Sequence, residues 1–248
     1  ATGARILMIA QRLPPHSAGL LPFRFITHPA SRFTEAPTAI AAAAIAILLS
    51  VAGPAHAQSY YTARLDDPRA VYLDTLGAKG DGAADDTAAI QAAIDRVQET
   101  VGQGVVFVPE GRYRITKTIN VWPSIRLVGY GANRPVFLLA DNTAGYQDPA
   151  AENYVVFFAG SRPGQGGRGA QAGASGVPSQ AGARPPDASP GTFYSAMSNI
   201  DIEIGAGNGG AVGVRGTYAQ HCFLAHMEFR VGSGIAGVHD TGNVMEDV

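Results

Sequence analysis

The apolar residues of the chain follow two rhythms, and the change between them comes near residue 102. From Asp85 to Val101, the residues Ile90, Ile94, Val97 and Val101 recur at i, i+4, i+7 and i+11, with small Ala89 and Ala93 beside them. That spacing lays one apolar stripe along a helix, so the predicted helix must cover something apolar. Asp85-Asp86-Thr87 stands at its start, offering side-chain oxygens to the unpaired first-turn N–H groups and negative charge to the positive end of the dipole. Gly102 and Gly104 stop it, and Val105 to Val108 follows as a short buried strand closed by Pro109-Glu110-Gly111. Downstream, the apolar runs Ile119 to Val121, Ile125 to Val128, Val136 to Leu139 and Tyr154 to Phe158 are separated by Gly, Pro, Asn or Asp, which predicts strands and corners. Val71-Tyr72-Leu73 is a candidate strand beside the first of them.

Past residue 191 the rhythm becomes strict. Ile200, Ile202 and Ile204 alternate with Asp201 and Glu203, which predicts a strand with one apolar and one acidic face. Acid-bearing strands are expected again at Ala225 to Phe229 and Val244 to Val248, so that Glu203, Glu228 and Glu246 recur on the scale of a short structural repeat. Such a repeat suits stacked strands with glycines at the corners. The stretch Gly160 to Gly191 interrupts it. Rich in Gly, Ala, Pro and Ser, it cannot bury enough apolar area to offset the entropy of ordering, and is expected to be a surface loop without chemistry. Its Arg162, Arg168 and Arg184 are read as solvated charge, with contact to an acidic glycan as the alternative.

The run from Gly80-Asp81-Gly82 through Asp85-Asp86-Thr87, Ala89-Ile90-Gln91, Ala93-Ile94-Asp95 and Val105 to Gly111 resembles the N-terminal signature of the pectate-lyase superfamily. The resemblance continues through Tyr113-Arg114-Ile115 and Ile125 to Gly131. It implies an all-β fold, a right-handed parallel β-helix with an N-terminal capping α-helix, and a polysaccharide as substrate. Phe193 to Val248 is similar to the branch near glycoside hydrolase family 55, the β-1,3-glucanases. That likeness implies a catalytic glutamate well downstream, at the seam of two tandem β-helices. Residues 58–248 are accordingly expected to be the N-terminal part of such a domain, a fragment inactive by itself.

Ahead of that domain, Arg5, Arg12, Arg24 and Arg32 accompany a single acid, Glu35. The uncharged run Ala39 to Ala52 is too short for a bilayer that needs about 20 residues, and it fits a signal-peptide core. With Ala55-His56-Ala57 after it, residues 1–57 are expected to be a leader cleaved before Gln58, placing the mature protein outside the cytoplasm.

Composition narrows the partners. From Gln58 onward 14 Lys and Arg stand against 19 Asp and Glu, so nothing is basic enough for nucleic acid and no cationic helix suggests a membrane surface. Cys222 is the only cysteine, which excludes an intramolecular disulfide; it is read as a buried, inert thiol. No Cys/His cluster has zinc spacing, and neither a metal nor another cofactor is expected. Trp122 before Pro123 is read as a corner packing residue, with a sugar platform as the alternative.

Glycoside hydrolysis needs two carboxyl groups about the bond, roughly 5 to 9.5 Å apart depending on stereochemistry. Asp201, Glu203 and Glu228 are the candidates, with Glu246 further along; acids facing solvent on a sheet are the plainer reading. His226 and His239 are candidates to orient or protonate a substrate, or else surface histidines. The acid triplets of polygalacturonases, Asn-x-Asp, Asp-Asp and Gly-His-Gly, are absent, Asp85-Asp86 belongs to the helix start, and no cluster fits a calcium-dependent pectate lyase. The sequence therefore favours a β-glucan hydrolase, with a pectin or uronate lyase or polygalacturonase as the enzymatic alternative and a glycan-binding adhesin or tailspike as the other.

Overall fold

In the computed structural model, which describes residues 58–163, 184–188 and 192–241, the strands are short and every pairing between them is parallel. They are β1 (Val71–Tyr72), β2 (Asp81–Asp85), β3 (Gly104–Pro109), β4 (Arg112–Ile115), β5 (Ile119–Val121), β6 (Ile125–Tyr130), β7 (Val136–Leu139), β8 (Asn153–Phe158), β9 (Ala196–Ser198), β10 (Asp201–Ile204), β11 (Ala211–Gly216), β12 (Phe223–Ala225), β13 (Phe229–Arg230) and β14 (Ala236–Thr241). The order β1-β3-β6-β9-β12 makes a first sheet, β2-β4-β7-β10-β13 a second and β5-β8-β11-β14 a third. The chain visits the three in turn and starts again, so each circuit is one coil of a parallel β-helix. The helix α1 (Thr87–Thr100) stands where the first coil would have its third-sheet strand.

Register explains the core. Val106, Leu127, Met197 and Leu224 stack in the first sheet, Tyr113, Phe137, Ile202 and Phe229 in the second, and Ile119, Val156, Val214 and Val238 in the third. Each column repeats an apolar residue at the same point of every coil, at a strand spacing of about 4.8 Å, so a single core runs along the axis. Corners are held by buried polar groups. Asn208, fully buried, accepts from the Thr143 amide at 2.8 Å and donates to the Ala140 and Gly205 carbonyls at 2.9 and 3.0 Å, satisfying backbone groups the sheets leave over.

Ile90, Ile94 and Val97 of α1 are fully buried as the stripe predicts, but Val101 is 49% exposed because the helix ends at Thr100. The helix start also differs from expectation. Asp86, the cap residue, makes no side-chain bond to the helix; its two carboxylate oxygens accept the Lys79 and Gly80 amides at 2.7 and 3.0 Å and fix the Gly80 turn. Asp85 takes the capping part, accepting the Thr87 amide at 3.0 Å. Thr87 is a bridge: its hydroxyl donates to Asp85 at 2.5 Å and accepts the Thr116 amide at 2.8 Å.

The strand expected at Ala225 to Phe229 is broken by a corner at His226, whose φ of 53° is left-handed, and Glu228 lies before β13. Leu73 opens a 3-10 turn after β1. The leader 1–57, the strand expected at Val244 to Val248 with Glu246, and Arg168 with most of the 160–191 stretch lie outside the described residues. Among those residues no helix is long and apolar enough to cross a membrane.

Candidate functional site

Alternation along β10 turns Ile202 and Ile204 into the core and puts Asp201 and Glu203 on the other side of the second sheet. The structure brings all three acidic candidates together there, interleaved with arginines. Arg134, just ahead of β7, donates through Nε to Asp201 at 2.6 Å and lies 3.5 Å from Glu228. Arg230 on β13 sits beside its register partner Glu203, donating at 3.2 Å, and approaches Glu228 at 3.2 Å and Asp201 at 3.5 Å. Arg112 on β4 reaches Glu203 from two coils away at 2.8 Å. Asp201 is not a solvent-facing acid as the alternation predicts: its side chain is 3% exposed, because Arg134 and the Glu228 amide, which donates to it at 2.9 Å, close over it.

This network sets the charge of its members. Burial alone would raise the Glu203 carboxyl, but the hydrogen bond and charge of Arg112, then those of Arg230, outweigh it and hold the group below the ordinary glutamate value. A hydrolytic general acid needs the opposite shift.

A second cluster gathers at the third sheet, around Arg215 on β11. Its guanidinium bonds Asp187 through Nε at 3.1 and 3.0 Å and through a terminal nitrogen at 2.6 Å, and donates to the Tyr154 hydroxyl at 3.2 Å and to Asp240. Tyr154 donates in turn to Glu152 at 3.2 Å, and His239, the register partner of Arg215, places Nδ1 3.0 Å from the same carboxylate. Asp240 reaches Arg215 because of a bulge: the register slips after Arg215, and Asp240 is the extra residue, at a left-handed φ of 48°. Arg184 lies over the Tyr154 ring, 4.8 Å from its centroid. Hydrogen bonding to Asp187 raises the Arg215 value further, and burial pushes the Tyr154 phenol up. The guanidinium is thus permanently charged and the phenol protonated at neutral pH, both with a partly exposed imidazole beside them.

Of this cluster, His239 was a candidate from sequence and Arg184 was weighed only as a contact to an acidic glycan. The stretch 160–191, expected to carry no chemistry, supplies Arg184 and Asp187, because Arg215 offers a bidentate site for a carboxylate. A signal did exist: Gly213-Val214-Arg215 and Gly237-Val238-His239 are the same short motif with a different basic residue, and they stack in register.

The remaining candidates make contacts of their own. His226 stacks on Tyr60 at 4.0 Å between centroids. Trp122 is buried at its corner and donates to Asp95 at 2.6 Å. Cys222 is buried, its thiol donates to the Thr192 carbonyl, and burial pushes its pKa up, which suits an inert group. Arg162 is tied to Glu99 at 2.8 Å. Among the described residues no three His, Cys, Asp or Glu group in a way that would hold a metal ion.

Comparison with known proteins adds three likenesses and a family. The family described as rhamnogalacturonase A/epimerase, pectate lyase-like, matches residues 70–248. Mannuronan C5-epimerase AlgE3 of Azotobacter vinelandii is 40% identical over 73 residues, covering 27% of this chain and 4% of that protein. A probable glucan endo-1,3-beta-glucosidase of Arthroderma benhamiae is 46% identical over 57 residues, 23% of this chain and 6% of that one. The chain therefore matches only a small part of the length of these relatives. The solved A-module of Azotobacter vinelandii mannuronan C-5 epimerase AlgE4 aligns over 68% of this chain and 41% of its own at 18% identity, with a TM-score of 0.40.

Proposed function

This chain belongs to the rhamnogalacturonase A/epimerase, pectate lyase-like family, a carbohydrate-active β-helix family, and we propose that it is part of a secreted enzyme modifying uronate-containing polysaccharide, with Arg215, His239 and Tyr154 as the reacting groups. The observation that carries this reading is the convergence of a guanidinium, an imidazole and a buried phenol at the third sheet. A proton next to a sugar carboxylate becomes removable once that carboxylate is neutralised, which Arg215 is shaped to do in bidentate fashion. Glu152 orients the His239 ring through Nδ1, and Nε2, 3.8 Å from Asp240, is placed to take the proton as general base. The electron pair passes into the carboxylate held by Arg215. It then either expels the glycosidic oxygen, which takes a proton from Tyr154, or is quenched by a proton from water on the other face, inverting the carbon. In this reading the substrate carboxylate displaces Asp187. The relative named as a mannuronan C5-epimerase supports the same substrate class.

Incubation with mannuronan and with polygalacturonate tests it, read as ultraviolet absorbance of an unsaturated product and as inverted uronate by NMR. Loss of either signal in Arg215→Gln and His239→Gln supports the assignment; no change on either polymer sinks it. A second reading, a β-1,3-glucan hydrolase, is favoured by the likeness to the probable glucan endo-1,3-beta-glucosidase. In that reading Glu203 and Glu228 of the second sheet contact the glucan, Asp201 holds Arg134 behind them, and the catalytic glutamate comes from another part of the protein. Reducing ends released from β-1,3-glucan and not from uronate polymers would select it, and binding without turnover would select the adhesin. Export by the Ala39 to Ala52 core is part of the proposal, and intact mass should place the mature N-terminus at Gln58.

A further inference from the structure

The corner that leads into the first sheet presents aromatic side chains to solvent. Ser124, Tyr194 and His221 occupy the same point of three successive coils, just ahead of β6, β9 and β12, and all three are left-handed, with φ of 64°, 61° and 62°. Non-glycine residues adopt that conformation in only about a few per cent of cases, and a tyrosine held there is a reason to ask what it does. The Tyr194 ring stacks on His221 at 5.1 Å with an interplanar angle of 7°, yet Tyr194 is 47% exposed, and its neighbour Phe193 is 37% exposed. The stack therefore offers a flat aromatic face to solvent.

Beside that face is a cavity of about 330 Å³, lined by Tyr194, Arg126, Ser124, Gln103, Arg69 and Asp67 among others, at the small end of the roughly 300 to 1,000 Å³ usual for ligand sites. Arg126 is aimed by its backbone neighbour, its Nε donating to the Tyr194 carbonyl at 3.2 Å. Among the described residues no carboxylate is bonded to it, unlike the arginines of the second and third sheets. With Asp67 offset by Arg69 3.9 Å away, an exposed ring, the Arg126 guanidinium and small polar groups in one shallow cavity are the parts that hold a pyranose: the ring takes the apolar sugar face and the cation takes a carboxylate.

We propose that this corner is a second saccharide-binding site, taking an acidic sugar unit whose ring stacks on Tyr194 and whose carboxylate meets Arg126. It lies on a different sheet from the Arg215 cluster and does not depend on any turnover there. A site of this kind would anchor a uronate polymer alongside the β-helix.

Amide shift perturbation on the whole chain locates the binding, with a galacturonate oligosaccharide and a neutral β-1,3-glucan oligosaccharide as the two probes. The galacturonate oligosaccharide is expected to move Tyr194, Ser195 and His221, and Tyr194→Gly to weaken its binding about tenfold or more. Glycine suits a φ of 61°, so the thermal midpoint of that variant should hold or rise, which separates lost binding from lost folding. Arg126→Gln should erase a preference of about tenfold for the acidic over the neutral probe. The proposal is overturned if neither probe moves the Tyr194 corner, if Tyr194→Gly binds like the parent, or if the parent binds both probes alike. Perturbation confined to His239 and Arg215 would overturn it while leaving the third-sheet reading intact.

Discussion

The side chain of Gln91 takes the place of a missing strand beside Asn120. The Asn120 amide donates to Gln91 Oε1 at 2.9 Å and Gln91 Nε2 donates to the Asn120 carbonyl at 3.1 Å, so one carboxamide pairs both backbone groups of Asn120 in the middle of β5. Thr87 and Asp95, one helical turn to either side, extend the effect by bonding the Thr116 amide and the Trp122 indole. The apolar stripe of α1 fills the end of the core, and this polar stripe closes the strand edge that would otherwise invite another chain. Gln91→Ala should therefore cost about 2 kcal/mol, since three bonds go, one of them to Asp95, and two partly buried backbone groups lose their partners. Thr87→Ala should cost a similar amount and Thr87→Ser much less, because serine keeps the bridging hydroxyl. Urea unfolding measures each, and equal losses for serine and alanine at position 87 would contradict the bridge.

Arg134 and Asp201 form the most buried of the ion pairs described, with side chains 14% and 3% exposed. Removing Arg134 leaves the buried Asp201 carboxylate with only the more distant Arg230, 3.5 Å away, and the Glu228 amide, so Arg134→Met should destabilise by about 3 kcal/mol. Joint replacement by Arg134→Met and Asp201→Leu should recover most of that loss, because no charge is then left without its partner. A double-mutant cycle in urea decides it: additive losses would mean that the pair is not coupled.

How far all this could be read from the sequence depends on whether a feature repeats along one dimension. Ile90, Ile94 and Val97, or Ile202 and Ile204, declare their burial by spacing alone, and a helix and strands followed from them; that the helix caps the fold and the strands are parallel came from the family resemblance. Val101 fits the same stripe and is exposed, since periodicity does not say where a helix stops. The ion pairs were not legible for a different reason. Arg112 meets Glu203, and Asp187 meets Arg215, only because coils of unequal length stack in register, and the 160–191 stretch hides that register from any fixed period.

Acid should weaken the second sheet through Glu203. Its folded-state pKa lies below the ordinary 4.5, so the unfolded chain takes up protons first as pH falls. The stabilisation is complete well above pH 4.5 and is lost as pH drops from there through the lowered folded value. Glu203→Gln should lower stability at neutral pH and flatten the acid limb of the stability curve, with little difference from the parent once both are fully protonated. Thermal midpoints across the acid range show this; parallel curves for the two proteins would mean that the arginines do not act on Glu203.

Turnover should respond to the third sheet and not to the second. On a uronate polymer, Arg215→Gln is expected to cost on the order of 10² to 10³ in kcat, the scale for removing a group that stabilises developing charge. Arg215→Lys should recover only part of this, because an ammonium keeps the charge and loses the bidentate fork. Asp187→Asn should act the other way. Asp187 occupies Arg215 through three contacts, so weakening it should lower KM severalfold by removing a competitor for the same guanidinium, with kcat little changed. Glu203→Gln and Glu228→Gln should leave both constants within about twofold on a uronate polymer, since neither touches the reacting groups in this arrangement. The opposite result, activity lost with Glu203 or Glu228 and kept without Arg215, would move the chemistry to the acidic candidates read first from the sequence and make the third-sheet cluster a structural clasp for the segment that bears Asp187.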